Sequence, residues 1–493
     1  MKSGIEVMIV GVALGCVLAA GPAMAGKVKH PDDLKFPDLV YTPPEAESYR
    51  MTLQSGVPAF IAEDREVPTF DLQVLVRTGT IYEPPEKTGL ADMVGDLLRN
   101  GGTRSFTGEE LDDRLEYLAG SISCRMGMTS ATVTVSTLSK DIDEALEILK
   151  EVLRYPVFDP EAVERYRADR IQNMKLRNSE TRTIEAREWA FLVYGDHAYT
   201  RQFRQTQASL ESISIDDLRA FHRKYFFPKN LVVAAAGDFD PQALARKLDR
   251  VFEGWEDHPL DLPDIPAVTY RPKPGVYLVN KEDVNQARVR LGHLGIRRDD
   301  PDYFSVSLMN YLLGGGGFSS RITQRVRSDE GLSYNQGSYF ATPVLYEGDF
   351  RAYFQTKSST VAFGTAIILE EIDRIREERV DEETLGNAKE NIRSMLVNNF
   401  VDRWTTVRTF ALDFLTARPA DFWQTYEARY EAVSAKDVRD AARKHLHPEE
   451  MVFLVVGNAE DIKNATTERS PATIADFGRI VDLPLPDPLT LER

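Results

Sequence analysis

Two aspartates one helical turn apart, Asp92 and Asp96, stand in the stretch TGLADMVGDLLRNGGT, residues 88–103. A Gly-Leu-Ala entry and a Gly-Gly-Thr exit frame an apolar stripe of helical period, so both carboxylates fall on one helix face. A pair so placed could share a hard cation through oxygen ligands. Gly95, between them, has no side chain and cannot act as a general base whatever the ion. The alternative is that both are carboxylates in the first turns of a helix, favoured by its dipole and facing solvent or a basic partner. Gly95 weakens such a helix by about 1 kcal/mol relative to Ala, and nothing in the sequence compensates for it.

No other constellation replaces this one. Of the seven histidines, His197, His222 and His258 are separated by loops, and His445 and His447 precede Pro448 at a helix end, so none forms an H-x-x-x-H face. There is no G-x-S-x-G elbow. Cys124, in AGSISCRMGMTSATVTV, alternates with apolar neighbours as a packed strand residue does. The run Gly314, Gly315, Gly316, Gly317 follows the helical FSVSLMNYLL and continues Phe-Ser-Ser, which argues against a phosphate-binding loop. It is either flexible backbone or a loop that permits close packing of the Phe318-Ser319-Ser320 turn. A formal net charge of -17 disfavours nucleic acid and anionic membrane surfaces and suits a cationic peptide partner.

The elements that must position these residues occur twice. ISIDDLRAFHRKYFFPKNLVVAAAG, residues 213–237, lies without a gap on VSAKDVRDAARKHLHPEEMVFLVVG, residues 433–457, with eight of 25 positions identical, where chance gives roughly one or two. Each begins with an S-x-x-D capping box at Ser214 or Ser434 and runs through a helix stopped at Pro228 or Pro448. An apolar β-run follows and ends at Gly237 or Gly457. A second echo pairs FDPEAVERYRADRI, from Phe158, with VDEETLGNAKENIR, from Val380. Between the halves, residues 256–275 carry five prolines and read as a stiff linker. The expectation is an α+β chain of two tandem homologous α/β domains, 26–255 and 276–465, each a mainly antiparallel sheet covered by helices, with a tail over 466–493. Strand candidates TFDLQVLVRTGT, ATVTVSTL and GDFRAYFQT alternate apolar with polar residues, which predicts sheets with one solvated face.

Tandem repeats with this helix frame resemble the pitrilysin/insulinase family of zinc metallopeptidases, the inverzincins. There the frame carries H-x-x-E-H, two zinc-holding histidines and a water-activating glutamate. Asp92, Gly95 and Asp96 stand at those three places, and counting back from YGDHAY puts Asn173 at the place of the remaining glutamate ligand. An amide is a poor zinc ligand, so the resemblance implies a degenerate zinc site. In the second half, MNYLLGGGGFSSRITQRVRSDEGLSYNQGSYF resembles the family's C-terminal signature, whose Arg and Tyr reach into the active chamber; here they are Arg327 and Tyr334. A guanidinium and a phenol can hydrogen-bond a substrate carbonyl and stabilise an oxyanion, although Arg327 would equally fit a charged helix face and Tyr334 a strand. The glycine run 314–317 resembles the substrate-handling run of the family's non-catalytic processing-peptidase subunit.

These features imply a non-catalytic subunit that binds peptide and completes the chamber of a zinc-bearing homologous partner, with no cofactor of its own and zinc in that partner. A peptide-binding or scaffold protein of the cell envelope is the alternative. Autonomous peptidase activity through Asp92 and Asp96 is the weakest of the three readings. Lys2, an apolar run to about Ala20, Gly21-Pro22 and Ala23-Met24-Ala25 predict a signal peptide over residues 1–25, export to the periplasm of a Gram-negative cell, and no membrane span after cleavage. An uncleaved anchor or a lipidated Cys16 are the alternatives. Cleavage leaves Cys124 as the only thiol, so an internal disulfide is excluded and stability rests on the cores.

Overall fold

A computed structural model describes Leu34 and residues 41–493; the leader predicted over 1–25, with Cys16, lies outside the described residues. Two six-stranded sheets organise the compact unit Thr42–Arg493. The first contains β1 (Arg50–Thr52), β2 (Pro58–Glu63), β3 (Thr69–Val76), β4 (Ser121–Met126), β5 (Ala131–Leu138) and β6 (Leu231–Gly237), in the order β1-β2-β6-β3-β5-β4. The second contains β7 (Gly275–Asn280), β8 (Gln286–Leu294), β9 (Gln336–Phe340), β10 (Asp349–Lys357), β11 (Val452–Gly457) and β12 (Ile480–Leu483), in the order β12-β7-β11-β8-β10-β9. Five strands of each thus recur in the same order. The β2–β6 and β7–β11 pairs are parallel in both, and the strands from β6 to β4 and from β11 to β9 are antiparallel.

The repeat read from the sequence is a structural repeat. Ser214 and Ser434 each accept a hydrogen bond from the N–H of Asp217 or Asp437 at 3.2 Å, opening the helices Ile215–Tyr225 and Ala435–His445. Each chain then turns at its proline and enters β6 or β11. The second echo is the helix pair Pro160–Lys175 and Glu382–Leu396, N-capped by Asp159 and Asp381.

The outer edges differ. β1, from the N-terminal side, pairs antiparallel with β2, whereas β12, from the segment 466–493, pairs parallel with β7. That segment, expected as a tail, is the sixth strand of a sheet, its short apolar run hidden between prolines. It continues to the first half, where Leu489 O accepts from Gln207 N at 2.9 Å and the Pro486 carbonyl from Asn178 Nδ2 at 2.7 Å.

The halves interlock through exchanged helices. Thr181–Tyr194, from the first half, packs on β11 and β8 of the second sheet, and Arg403–Leu415, from the second half, packs on β6, β2 and β3 of the first. Phe60 on β2 meets Phe410 and Phe414 with ring centroids 6.4 and 6.0 Å apart. This corrects the expectation of one solvated face. β5 alternates buried and half-buried residues as predicted, but all seven residues of β6 are buried, because a helix from the other half covers its second face. Among the described residues no helix is long and apolar enough to cross a membrane.

Candidate functional site

The frame stretch folds as the helix Leu90–Asn100. Gly89 precedes it at φ 100°, where a Cβ would lie 1.9 Å from the Gln205 side-chain nitrogen, so only glycine fits. The backbone N–H groups of Gly89 and Ala91 donate to the Glu83 carboxylate at 3.1 Å, satisfying two of the helix's orphan donors. Glu83 is 1 % exposed, and burial pushes its carboxyl up to about 8 against the lowering effect of those bonds. Gly95 faces β4: a Cβ there would stand 2.8 Å from Met126 Cβ and 3.0 Å from its backbone N. Close helix-to-strand approach is therefore what offsets the propensity cost for which the sequence offered no compensation. Cys124, on the same strand, packs against the first core, and burial pushes its thiol up to about 12. It is not an activated nucleophile.

The four degenerate positions do not make a zinc site. Asp92 is half-buried, its carboxyl raised by burial and drawn down by the Arg170 guanidinium 3.5 Å away. Asp96 is exposed and accepts from Asn100 Nδ2 at 3.2 Å. Gly95 offers no ligand atom, and Asn173, exposed on the Pro160–Lys175 helix, offers only a neutral amide. Zinc needs four converging N, S or carboxylate donors in a structural site or three in a catalytic one. Here a guanidinium neutralises Asp92 instead. Among the described residues, the one close group of three potential metal ligands is Asp300, Asp302 and His445 in the second half. There Asp302 already holds Lys444 at 2.6 Å and His445 at 2.7 Å.

Arg327 and Tyr334 come together. The Arg327 guanidinium lies 5.4 Å from the Tyr334 ring centroid and 4.5 Å from that of Phe318, a neighbour the sequence reading did not single out. Tyr334 is 88 % and Phe318 70 % exposed. A π-helical turn, Gln324–Asp329, carries Arg327, and a second, Tyr311–Gly315, carries the start of the glycine run; such turns interrupt regular helices most often at functional positions. Gly314 packs on β9, where a Cβ would meet the Ser338 backbone N at 2.4 Å, while Gly317 has φ 63° and open space around it. Close packing and free backbone thus both occur within the run, at different glycines.

A cavity of about 940 Å³ opens beside this run, and Gly314, Gly315 and Gly317 line it. Its other walls are the exchanged helix Thr181–Tyr194, the facing sides of β8, β9 and β10, and the helices Tyr303–Asn310, Glu382–Leu396 and Phe422–Glu431 of the second half. Arg288 and Arg290 of β8 and Arg351 of β10 point into it. Glu185, 1 % exposed, accepts from Arg288 Nε at 3.0 Å and from Arg290 at 3.1 Å, and Asp349 accepts from Arg351 at 2.9 Å. Asp349 also takes the Trp189 indole N–H at 2.8 Å and the Tyr194 hydroxyl at 3.1 Å, tying the exchanged helix to the second sheet. The arginines of β8 were legible as a same-face pair two residues apart, but the sequence could not show that a helix from the other half brings Arg182 and Glu185 over them.

Two tandem repeats, interlocked by exchanged helices around a metal-helix frame, define the class. Residues 60–193 match the model of Insulinase (Peptidase family M16), and residues 212–392 match that of the Peptidase M16 inactive domain. The chain belongs to the M16 family. It is 25% identical to an uncharacterized zinc protease of Streptomyces coelicolor over 80% of this chain and 86% of that protein. It is 24% identical to the non-peptidase homolog YmxG of Helicobacter pylori over 83% and 94%. More distant relatives are the probable mitochondrial-processing peptidase subunit beta of Arabidopsis thaliana, 20% identical over 83% and 78%, and cytochrome b-c1 complex subunit 1 of Caenorhabditis elegans, 19% identical over 92% and 97%. Among solved structures, the peptidase M16 inactive domain from Pseudomonas fluorescens superposes with a TM-score of 0.73 at 23% identity, covering 83% of this chain and 98% of that one. The chain is an M16-family homologue in whose sequence no H-x-x-E-H motif occurs.

Proposed function

We propose that this protein is a non-catalytic subunit that binds peptide and completes the active chamber of a zinc-bearing homologous partner. The observation that carries this is the cluster of Arg327 with two exposed aromatic rings beside the glycine run. Arg327 has no carboxylate partner among the described residues, and both rings stand open to solvent. A cation–π cluster left in water stabilises a fold little, so a contact made on assembly accounts for it better than stability does. The relatives support the reading, since one is named a subunit of a processing peptidase and another a non-peptidase homolog. Zinc belongs to the partner in this proposal, and this chain carries no cofactor. Export through residues 1–25 places the pair in the periplasm, with N-terminal sequencing expected to begin at Gly26 and a lipid on Cys16 as the outcome that would reverse this.

A carbonyl attacked at the partner's zinc gains negative charge on its oxygen, and a positioned donor lost there typically costs about 2.7–4 kcal/mol of barrier. Tyr334→Phe removes one hydroxyl and keeps the ring against Arg327. Turnover of a peptide by the native or reconstituted pair is expected to fall roughly a hundred- to a thousandfold, with assembly checked by sizing. Undiminished turnover in both Tyr334→Phe and the Arg327→Ala, Tyr334→Phe double variant would favour the second reading, a scaffold without a role in proteolysis. The likeness to a subunit of the cytochrome b-c1 complex gives that reading its support.

A further inference from the structure

The 940 Å³ cavity does not end at the second sheet. A cavity of about 390 Å³ adjoins it, bounded by the Pro160–Lys175 and Thr181–Tyr194 helices, and Arg182 and Ala186 line both. The smaller space contains Asn173 together with Arg170, Arg177 and Arg187. The combined groove therefore runs from Asn173, along the exchanged helix, to the glycine run of the second half.

Its charge is opposite to that of the molecule. Seven arginines line it, at 170, 177, 182, 187, 288, 290 and 351. The carboxylates bound to them are four: Asp92 to Arg170, Glu188 to Arg187, Glu185 shared by Arg288 and Arg290, and Asp349 to Arg351. Glu188 is further shared with Arg493. Arg182 is exposed and has no ion-pair partner among the described residues, and Arg177 finds only the Gln205 carbonyl, at 2.5 Å. Burial, with Arg170 and Arg187 nearby, pulls the Arg177 guanidinium down to about 10. Donor capacity is also unspent. Arg187 Nη2 and Arg290 Nε are buried without a hydrogen-bond partner. Unmet donors of this kind are uncommon in a finished structure and mark places where an acceptor is missing.

We infer that this groove is a binding site for an acidic peptide segment, whose carboxylates pair with Arg182 and with the partly neutralised arginines on either side of it. Net charge alone pointed to a cationic partner, but the field inside a low-dielectric cleft is set by its own lining. Guanidinium forks match carboxylates two bonds at a time. A peptide is favoured over a nucleic acid or polyphosphate because a few side-chain carboxylates keep their charge within the groove. A long polyanion would extend over a surface that belongs to a chain of net charge -17. The side chains of Asn310, Asn335 and Gln336, also in the wall, supply donors and acceptors for a peptide backbone.

The choice of a peptide rests on the peptide-handling reading above; the need for a partner does not enter. The test uses the isolated full chain and a short fluorescein-labelled peptide that alternates glutamate with glycine and tyrosine, beside the same peptide with glutamine or with lysine in place of glutamate. Anisotropy is expected to show saturable binding of the glutamate peptide only, weakening as salt rises. Arg182→Glu reverses an exposed, unpaired charge and leaves the core untouched, and it should weaken binding by roughly tenfold or more. Arg223→Glu, an exposed charge reversal on the Ile215–Tyr225 helix outside the groove, should leave it unchanged. Equal binding of the three peptides, no binding of any, or an Arg182→Glu variant as tight as the parent would overturn the inference. Tighter binding of polyphosphate or single-stranded DNA than of the glutamate peptide would overturn the assignment to peptide. No partner is present in this assay, so its failure leaves the Tyr334 test standing, and an inert Tyr334→Phe pair leaves this one standing.

Discussion

Glu185→Ala should lower the stability of the fold and raise its affinity for an acidic peptide, a combination that a purely structural role does not produce. Glu185 is 1 % exposed and holds Arg288 at 3.0 Å and Arg290 at 3.1 Å, while those side chains are 15 % and 18 % exposed. Breaking a buried ion pair from one side costs about 3–5 kcal/mol. The two arginines border an open cavity that readmits water, which places the cost at the lower end, about 3 kcal/mol. For a ligand carboxylate on the same arginines, about 7 Å from the lost charge, relief of repulsion amounts to roughly 0.6–2.4 kcal/mol for effective dielectrics between about 80 and 20. That corresponds to roughly three- to sixtyfold tighter binding. Urea unfolding followed by circular dichroism reads the first effect, and anisotropy with the glutamate peptide, on protein verified as folded, reads the second. A folded variant that binds the acidic peptide more weakly would refute the reasoning, because Glu185 would then be acting for the ligand and not against it. An unchanged urea midpoint would show that the exchanged helix does not depend on this pair.

Other outcomes follow from the same geometry. Gly95→Ala gains about 1 kcal/mol of helix propensity but overpacks Met126, at a typical cost of about 1–3 kcal/mol, so the urea midpoint should fall or stay level; a rise worth the full propensity gain would show that the helix can move off β4. Dialysed protein should hold sub-stoichiometric zinc by metal analysis, and one zinc per chain lost on changing Asp92 and Asp96 to Ala would reverse the reading of those positions. Burial lowers the imidazoles of His222 and His293 to about 4, so both fold neutral and the stability they contribute is present above about 6.5 and lost as pH falls toward 4, by roughly 3 kcal/mol each. His222→Gln, which keeps a donor for the Leu153 carbonyl, should flatten that acid limb in thermal melts between pH 6.5 and 4. Glu83 works in the opposite direction: its carboxyl is raised to about 8, so its share of stability is full below about 4.5 and is lost as pH rises to 8. Glu83→Gln should remove that alkaline loss, and an unchanged slope would mean that Glu83 is ionised in the fold.

Local rules carried much of the architecture. The capping boxes at Ser214 and Ser434, the prolines that stop each helix and the apolar runs of β6 and β11 are decided within a few residues of chain, and their recurrence made the tandem fold legible. The absent ligands at Asp92, Gly95, Asp96 and Asn173 are likewise a matter of residue type. The sequence by itself therefore determined that this is a twofold α+β chain whose helix frame carries no H-x-x-E-H motif. Tertiary structure alone decided the rest: that Gly95 serves contact with Met126, that Phe318 joins Arg327 and Tyr334, and that residues 466–493 close a sheet. It also placed arginines from two helices and two strands in one groove within an acidic molecule. The physical reason is range. Propensity and capping act over a turn or two of chain, whereas the exchange of helices between halves joins Glu185 to Arg288 across 103 residues, and net charge sums over the chain what a cleft resolves locally.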